Sequence, residues 1–560
     1  MRDMHRRFVA VTVAVVLAVA LAPLPGQAQL AIELKVVQAE GYAALSWTAA
    51  PGVTEYVIER TPVNAQDLPT GLPAIAGVWR PNRQVRPQSP TFADAGFNPG
   101  DRFQWRVHAV PGVGLPSLSS AAVGGTTLAS SGPNDFLTQF ELTLAAQWTS
   151  HESELEWTQR IDAASDRVRV VEIGRTVLGR PINLFVVGYP APLGTAEEIA
   201  RSPSVSAGCN VHGNEPSGRE GCFMMIRRLA FSDDPWVVDI LSNATVLIIP
   251  SLNGDGRAAN TRGNTTGQDL NRDYGRLSQP EPQAMVRFWR DYTPDVMVDH
   301  HEFGEATTCD LSLMVTPHLN NAQAMYEEAR FGLLEGWTYD HAATEGWWPC
   351  PYPVAFSPGG QSFGSTAGLK HVVGMLIEAR SPAGPTRPDE TSTQGNRRRA
   401  AYSQLWALRQ AMDYHRANLP TIQQAIADSI AFQLSNTGRV VFNGTYDWEP
   451  SPPPHPGESP PPNNQPGPED VLDDPPCGYL LSDAQYTTLL SDGGSLPEAL
   501  RTSPAQRLEA HGIHVERRDD GYFVPMAQPL RGLIPLILDG QTQQLGAPII
   551  VAADRIDDCA

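Results

Sequence analysis

The chain has 560 residues, 41% hydrophobic and 18% charged, a balance that belongs to folded rather than disordered protein. That length is too great for one ordinary domain and implies roughly two to four. A formal charge of −20 argues against nucleic acid as a partner, because phosphate backbones require basic surface.

Met1 to Ala28 has the order of an export signal. Arg2, Arg6 and Arg7 open it, Phe8 to Leu21 is apolar, and Gly26-Gln27-Ala28 offers a small-residue cleavage site. The apolar run is short for a membrane span, so no stable membrane insertion is expected after cleavage, an uncleaved anchor being the alternative. The mature chain is then expected in the periplasm or outside the cell, where disulfides persist. Cysteines stand at 209, 222, 309, 350, 477 and 559, too dispersed for a tight metal spacing. Cys477 with Cys559 is the first pairing to expect, since both fall in the C-terminal segment. Cys309 with Cys350 and Cys209 with Cys222 are the remaining candidates.

From Ala31 to Leu128 the pattern is all-β. Ala43, Leu45 and Trp47 alternate with small or polar residues, as do Tyr56 and Ile58, and Phe103, Trp105, Val107 and Ala109. Turn clusters such as Asn98-Pro99-Gly100-Asp101 separate the runs. The pattern predicts a β-sandwich whose aromatic residues form its core. The stretches Leu45–Arg60 and Phe92–Val110 resemble a fibronectin type III domain, which implies a spacer or surface-binding module without chemistry of its own.

A Ser/Gly/Pro break at Ala129 to Asn134 precedes alternating helix and strand. Asp135–Trp148 and Glu152–Ala164 read as helices, and Val168–Ile173, Ile182–Val187 and Ser204–Val211 as strands. Pro216 suits the first turn of a helix through Cys222, Met225, Ile226 and Leu229. Ala244–Ile249, Asp295–Val298, Leu311–Val315 and Val373–Ile377 are further strand runs; Asn396 to about Asn418 is helical, with more helix expected to Leu434. Buried strands between helices predict a parallel or mixed sheet covered on both faces, with its site at the carboxyl ends of the strands. His212, Asn253, His301 and Glu378 all lie at or just past such ends. The proline-dominated stretch 450–468 reads as an extended linker, and Cys477–Ala560 as a small α+β accessory module. The fold class is therefore multidomain: an all-β sandwich, a central α/β domain over 135–434, and the C-terminal module.

The chemistry gathers around Cys209-Asn210-Val211-His212-Gly213-Asn214-Glu215-Pro216. A histidine and a carboxylate three residues apart can supply two ligands of a catalytic Zn²⁺, which typically takes three from the protein. The third would come from a distant strand, either His300 or His301, since adjacent strand residues point to opposite faces.

The set His212-x-x-Glu215, Asn253-Gly254-Asp255-Gly256-Arg257, Asn260-Thr261-Arg262, Asp269-Leu270-Asn271-Arg272, Asp299-His300-His301 and Ile377-Glu378-Ala379-Arg380 resembles the zinc carboxypeptidase (M14) family, in that family's order. The resemblance implies a mixed eight-stranded sheet and one Zn²⁺ held by His212, Glu215 and His301. It also implies that Glu378 is the general base, taking a proton from the attacking water and passing it to the leaving amine. Arg262 matches the arginine that polarises the carbonyl, Asn271 and Arg272 the pair that holds a terminal carboxylate, and Asp269 a carboxylate that orients His212. Two departures stand out. Counting back from Gly359-Gly360, the family's lid tyrosine is replaced by Ala355, with Tyr352 the nearest phenol, and the side-chain pocket position falls near Ser362, which selects no side-chain class. No propeptide is expected before the catalytic segment, because that space has the fibronectin-like pattern. The expected activity is an exported metallocarboxypeptidase acting on peptides or proteins with a free C-terminus. The alternatives are a zinc amidohydrolase acting on cell-wall peptides or acylated amino acids, or a non-catalytic binding protein on the same fold.

Overall fold

The structure is a computed structural model that describes residues 32–50, 52–53, 55–80, 90–95, 97–98, 100–110, 118–126, 128, 133–303, 309–315, 320–351, 361–382, 393–443, 466–492, 496–542 and 549–558. The export signal, most of the proline-rich stretch, Tyr352, Ala355, Gly359-Gly360 and Cys559 lie outside them. The chain divides into two compact units, one of Met1–Ser130, Ala342–Trp348 and Thr386–Arg398, the other of Ser131–His341, Pro349–Pro385 and Arg399–Ala560. Among the described residues no helix is long and apolar enough to cross a membrane.

Among the described residues the first unit contains seven strands: β1 (Leu34–Ala39), β2 (Tyr42–Trp47), β3 (Tyr56–Pro62), β4 (Ala74–Trp79), β5 (Thr91–Asp94), β6 (Arg102–Ala109) and β7 (Val123–Thr126). They form two antiparallel sheets, ordered β1-β2-β5 and β4-β3-β6-β7. The alternation seen in the sequence turns Leu45 and Trp47 of one sheet and Tyr56, Trp105 and Val107 of the other into one buried core. Trp105 cannot leave its ring N–H unpaired there, and it donates to Asp94 Oδ2 at 2.7 Å.

The second unit is built on eight strands: β8 (Val168–Arg175), β9 (Pro181–Val187), β10 (Ser204–Cys209), β11 (Thr245–Ile249), β12 (Val296–Phe303), β13 (Leu311–Val315), β14 (Pro349–Pro351) and β15 (Val373–Arg380). Their order is β14-β13-β15-β12-β10-β11-β9-β8, the mixed eight-stranded sheet that the family resemblance implies. The four central strands, β11, β10, β12 and β15, are mutually parallel, so their carboxyl ends share one edge. Both faces are covered, which is why β10, β11 and β15 are buried at every position. One face packs on Phe288 and Trp289 of the helix Pro280–Tyr292 and on Phe363. The helix Ser217–Phe231 packs on β12, β10 and β9.

Asp135–Trp148 is not one helix. A single 3-10 turn at Asn134–Phe136 is followed by the helix Gln139–Leu142, started by a Thr138–Glu141 capping box. Leu144 and Ala145 then take positive φ, 50° and 63°, which no continuing α-helix allows. Asn396–Leu434 is longer than expected at its start: the helix is Thr393–Leu434, with non-helical backbone at Asn418 two residues before Pro420.

After a ribbon of β16 (Val440–Val441) and β17 (Val471–Leu472), the C-terminal residues form an antiparallel sheet. Its strands are β18 (Gly478–Leu481), β19 (Glu516–Arg518), β20 (Gly521–Pro525) and β21 (Asp554–Ile556), ordered β19-β20-β18-β21. Their apolar core, with Leu508, Val524 and Leu536, also takes in Leu369 from the helix Phe363–Leu369. These residues therefore share the compact unit of the eight-stranded sheet rather than forming one of their own.

Candidate metal centre

β10 ends at Cys209, and the next seven residues carry the chain to the helix Ser217–Phe231. Asn210 makes the turn with φ 60°, a left-handed conformation that asparagine tolerates. Its side-chain amide donates to the carbonyls of His212 (2.8 Å) and Glu215 (3.3 Å), which fixes the loop around both residues. Asn253, wholly buried, caps the next helix through Gly256 N and donates to the carbonyls of Val211 and Arg262. Gly213 has no room for a side chain, since a Cβ there would stand 2.1 Å from the carbonyl carbon of Gly256. Gly213→Ala is thus expected to force the loop and the Gly254–Ala259 helix apart, costing about 1–3 kcal/mol of stability. Thermal melting together with zinc content checks this; an unchanged melting temperature would contradict it.

The loop and β12 bring three residues together. Nδ1 of His212 lies 2.8 Å from Glu215 Oε1, and Nδ1 of His301 lies 2.9 Å from Glu215 Oε2. The two Nδ1 atoms are 3.1 Å apart, and all three residues are buried. Their ligand atoms lie within 4.8 Å of one another. On the far side of its ring, His212 Nε2 is 3.1 Å from Asp269 Oδ1, and His301 Nε2 is 3.0 Å from Asp299 Oδ1. A carboxylate at Nε2 orients each ring so that Nδ1 points into the cup. Two imidazole nitrogens facing one another beside a carboxylate favour a cation between them. The donor set of two imidazoles and one carboxylate suits Zn²⁺.

The electrostatics agree with an anionic cup. Burial alone would raise the Glu215 carboxyl, but hydrogen bonds and charge from His212 and His301 outweigh it and hold it well below the usual range. Asp269 is likewise held low against its own burial by His212, Arg262 and Arg272. Burial would lower His301, yet Asp299 and Glu215 together push it well above the ordinary histidine value.

His300 is not part of this group. It leaves the opposite face of β12, where Nδ1 is 2.6 Å from Gln404 Oε1, and burial lowers it to about 4. Gly218, at the start of the Ser217–Phe231 helix, lies against it: a Cβ there would be 2.6 Å from that of His300. Glu378 is paired in register with His301 on the neighbouring parallel strand, so both side chains leave the same face of the sheet. It is buried. Arg262 reaches the cup from outside, half exposed, with Nε 3.1 Å from Asp269 Oδ2 and Nη1 3.2 Å from Glu215 Oε1. Asn271 is turned inward, its Nδ2 3.3 Å from His301 Nε2 and its Oδ1 accepting from Phe363 N at 2.7 Å, whereas Arg272 is exposed. Ser362 caps the helix Phe363–Leu369 through Ser365 N.

Three contributors were given no role in the sequence reading, although Asp299 stands in the motif that carries the family resemblance. Asp299 sits two residues before His301, and strand alternation alone places both on one face. Glu302 accepts from Ser217 N at 2.6 Å, and its own N–H donates to Glu215 Oε2 at 3.1 Å. Gln404 donates to the His301 carbonyl at 2.7 Å from a helix about a hundred residues away, and no local pattern announces it. Two expected disulfides are present: Cys209–Cys222 joins β10 to the helix after the ligand loop, and Cys309–Cys350 joins the approach to β13 to β14. The expected pairing of Cys477 with Cys559 lies outside the described residues.

Residues 154–330 match the sequence model of Peptidase_M14, zinc carboxypeptidase. Carboxypeptidase SOL1 of Arabidopsis thaliana is 34% identical over 152 residues, covering 24% of this chain and 28% of that protein. Carboxypeptidase E of Caenorhabditis elegans is 31% identical over 151 residues, covering 24% of this chain and 31% of that protein. The chain thus spans less than a third of the length of these two relatives. Among solved structures, a metallo-carboxypeptidase from Burkholderia cenocepacia is similar at 15% identity and a TM-score of 0.39, covering 68% of this chain and 96% of that one. The matched segment holds His212, Glu215, Arg262, Asp269, Asn271 and His301, and over it the chain is similar to the zinc carboxypeptidase family.

Proposed function

We propose that the chain is an exported zinc metallocarboxypeptidase that hydrolyses the C-terminal peptide bond of peptides or proteins. The observation that carries this reading is the convergence of His212, Glu215 and His301 on one buried point, each histidine backed by its own carboxylate. Bound by those three residues, Zn²⁺ supplies Lewis acidity that activates water and polarises a carbonyl. Glu378, on the same face as His301, takes the proton of the attacking water and delivers it to the leaving amine. Arg262 is tethered to Asp269 and Glu215, and its exposed guanidinium offers donors to the carbonyl oxygen as charge develops. Arg272, exposed on the adjoining turn, is suited by its planar, permanently charged fork to hold the terminal carboxylate, with Asn271 beside it. Disulfides at Cys209–Cys222 and Cys309–Cys350 support an oxidising compartment. The N-terminal sandwich we read as a fibronectin type III-like spacer or surface-binding module.

Incubation of the purified protein with a mixed peptide library, read by mass spectrometry, tests this. Stepwise loss of C-terminal residues, abolished by a chelator and restored by zinc, is the expected outcome. Internal cleavage, or hydrolysis confined to acylated amino acids or cell-wall amides, would overturn the carboxypeptidase reading.

A further inference from the structure

The turn that follows Asn271-Arg272 is held by the C-terminal part of the chain. The helix Pro504–His511 points two fully buried side chains at consecutive carbonyls of that turn. His511 Nε2 is 2.9 Å from Gly275 O, and Arg507 Nη1 donates to Arg276 O at 3.1 Å. Asp492, itself buried, joins the two segments by pairing both with Arg507 and with Arg276, the latter at 2.8 Å. Burial lowers His511 to about 3, so the ring is neutral, with its proton available to the Gly275 carbonyl throughout the ordinary pH range. On its other side the same turn is anchored by Tyr274 N donating to Gln361 O at 3.0 Å. Backbone carbonyls in a short turn must find donors when buried, and here the donors come from more than two hundred residues away.

We propose that the C-terminal segment is a positioning element for substrate binding: through His511, Arg507 and Asp492 it sets the turn from which Arg272 meets the terminal carboxylate of the substrate. The inference rests on the reading of Arg272 as a carboxylate-binding residue. It assigns a role to the C-terminal segment: it grips the backbone three and four residues beyond Arg272, and among the described residues no hydrogen bond or ion pair joins it to His212, Glu215 or His301.

Two variants of the full-length protein test it, each measured on an N-acyl dipeptide with a free terminal carboxylate. His511→Phe keeps an aromatic ring and removes the donor to Gly275. Asp492→Asn keeps the shape and removes the charge that ties Arg276 to Arg507. Asp492 has φ 46°, a conformation asparagine adopts readily, so this variant is measurable even where His511→Phe fails to fold. The expected result is a KM raised by about tenfold with kcat within about twofold, since misplacing a binding group costs ground-state and transition-state binding alike. Zinc content and inhibition by acetohydroxamate, a zinc binder without a carboxylate, should not change. Arg272→Ala is measured alongside. If Arg272→Ala raises KM and neither folded variant does, the positioning role is wrong while the carboxylate reading stands. If Arg272→Ala leaves KM unchanged, both are wrong. Loss of zinc and kcat in step with KM would show general destabilisation and would also overturn the inference.

Discussion

Glu378→Gln is expected to stay folded and zinc-loaded while its turnover falls by about 10²–10⁴-fold, the range attributable to a positioned general base. The substitution is nearly isosteric at a buried position of β15, so packing is conserved. Glu378 is not among the converging ligand atoms, which belong to His212, Glu215 and His301, so zinc has no reason to leave. Glutamine cannot accept the proton that hydrolysis releases from water, and that is the only chemistry removed. Initial rates on an N-acyl dipeptide, set beside zinc content by plasma mass spectrometry, separate the two effects. A rate equal to that of the unaltered protein would exclude Glu378 as the base, and loss of zinc would place it among the ligands instead.

His301→Ala should release the metal, whereas His300→Ala should retain about one zinc per chain, as a three-ligand site requires. His301 contributes Nδ1 to the cup and is held from behind by Asp299. His300 faces the other way, against Gln404 and the start of the Ser217–Phe231 helix. Removing His300 opens a cavity and strands the Gln404 oxygen, so stability is expected to fall by about 2–5 kcal/mol. The two variants should therefore fail differently: one in zinc content after dialysis, the other in melting temperature. Zinc loss from His300→Ala with retention by His301→Ala would shift the ligand by one residue.

The sheet was legible because its strands are buried on both faces and read as short apolar runs, and because the helix pattern between them has a different period. The helix expected over Asp135–Trp148 was less so: nothing in Leu144-Ala145 announces left-handed backbone, which the surrounding packing imposes. The candidate site was legible where it is local. His212 and Glu215 share one turn, and Asp299 and His301 share one strand face, so spacing alone relates the members of each pair.

The chain order of these motifs was enough to mark the candidate metal loop and its resemblance to a family. Strand alternation could not decide which of two adjacent histidines faces the candidate metal site, since it fixes only that they diverge, and only the family resemblance implied His301. That choice belongs to the tertiary structure, where Gln404 and the Ser217–Phe231 helix occupy the side His300 takes. The same holds for the C-terminal segment, whose sequence has no signature of function. Its grip on Gly275 and Arg276 exists only because folding brings residues more than two hundred positions apart within hydrogen-bonding distance, and a contact between such distant residues leaves no periodic trace in the sequence.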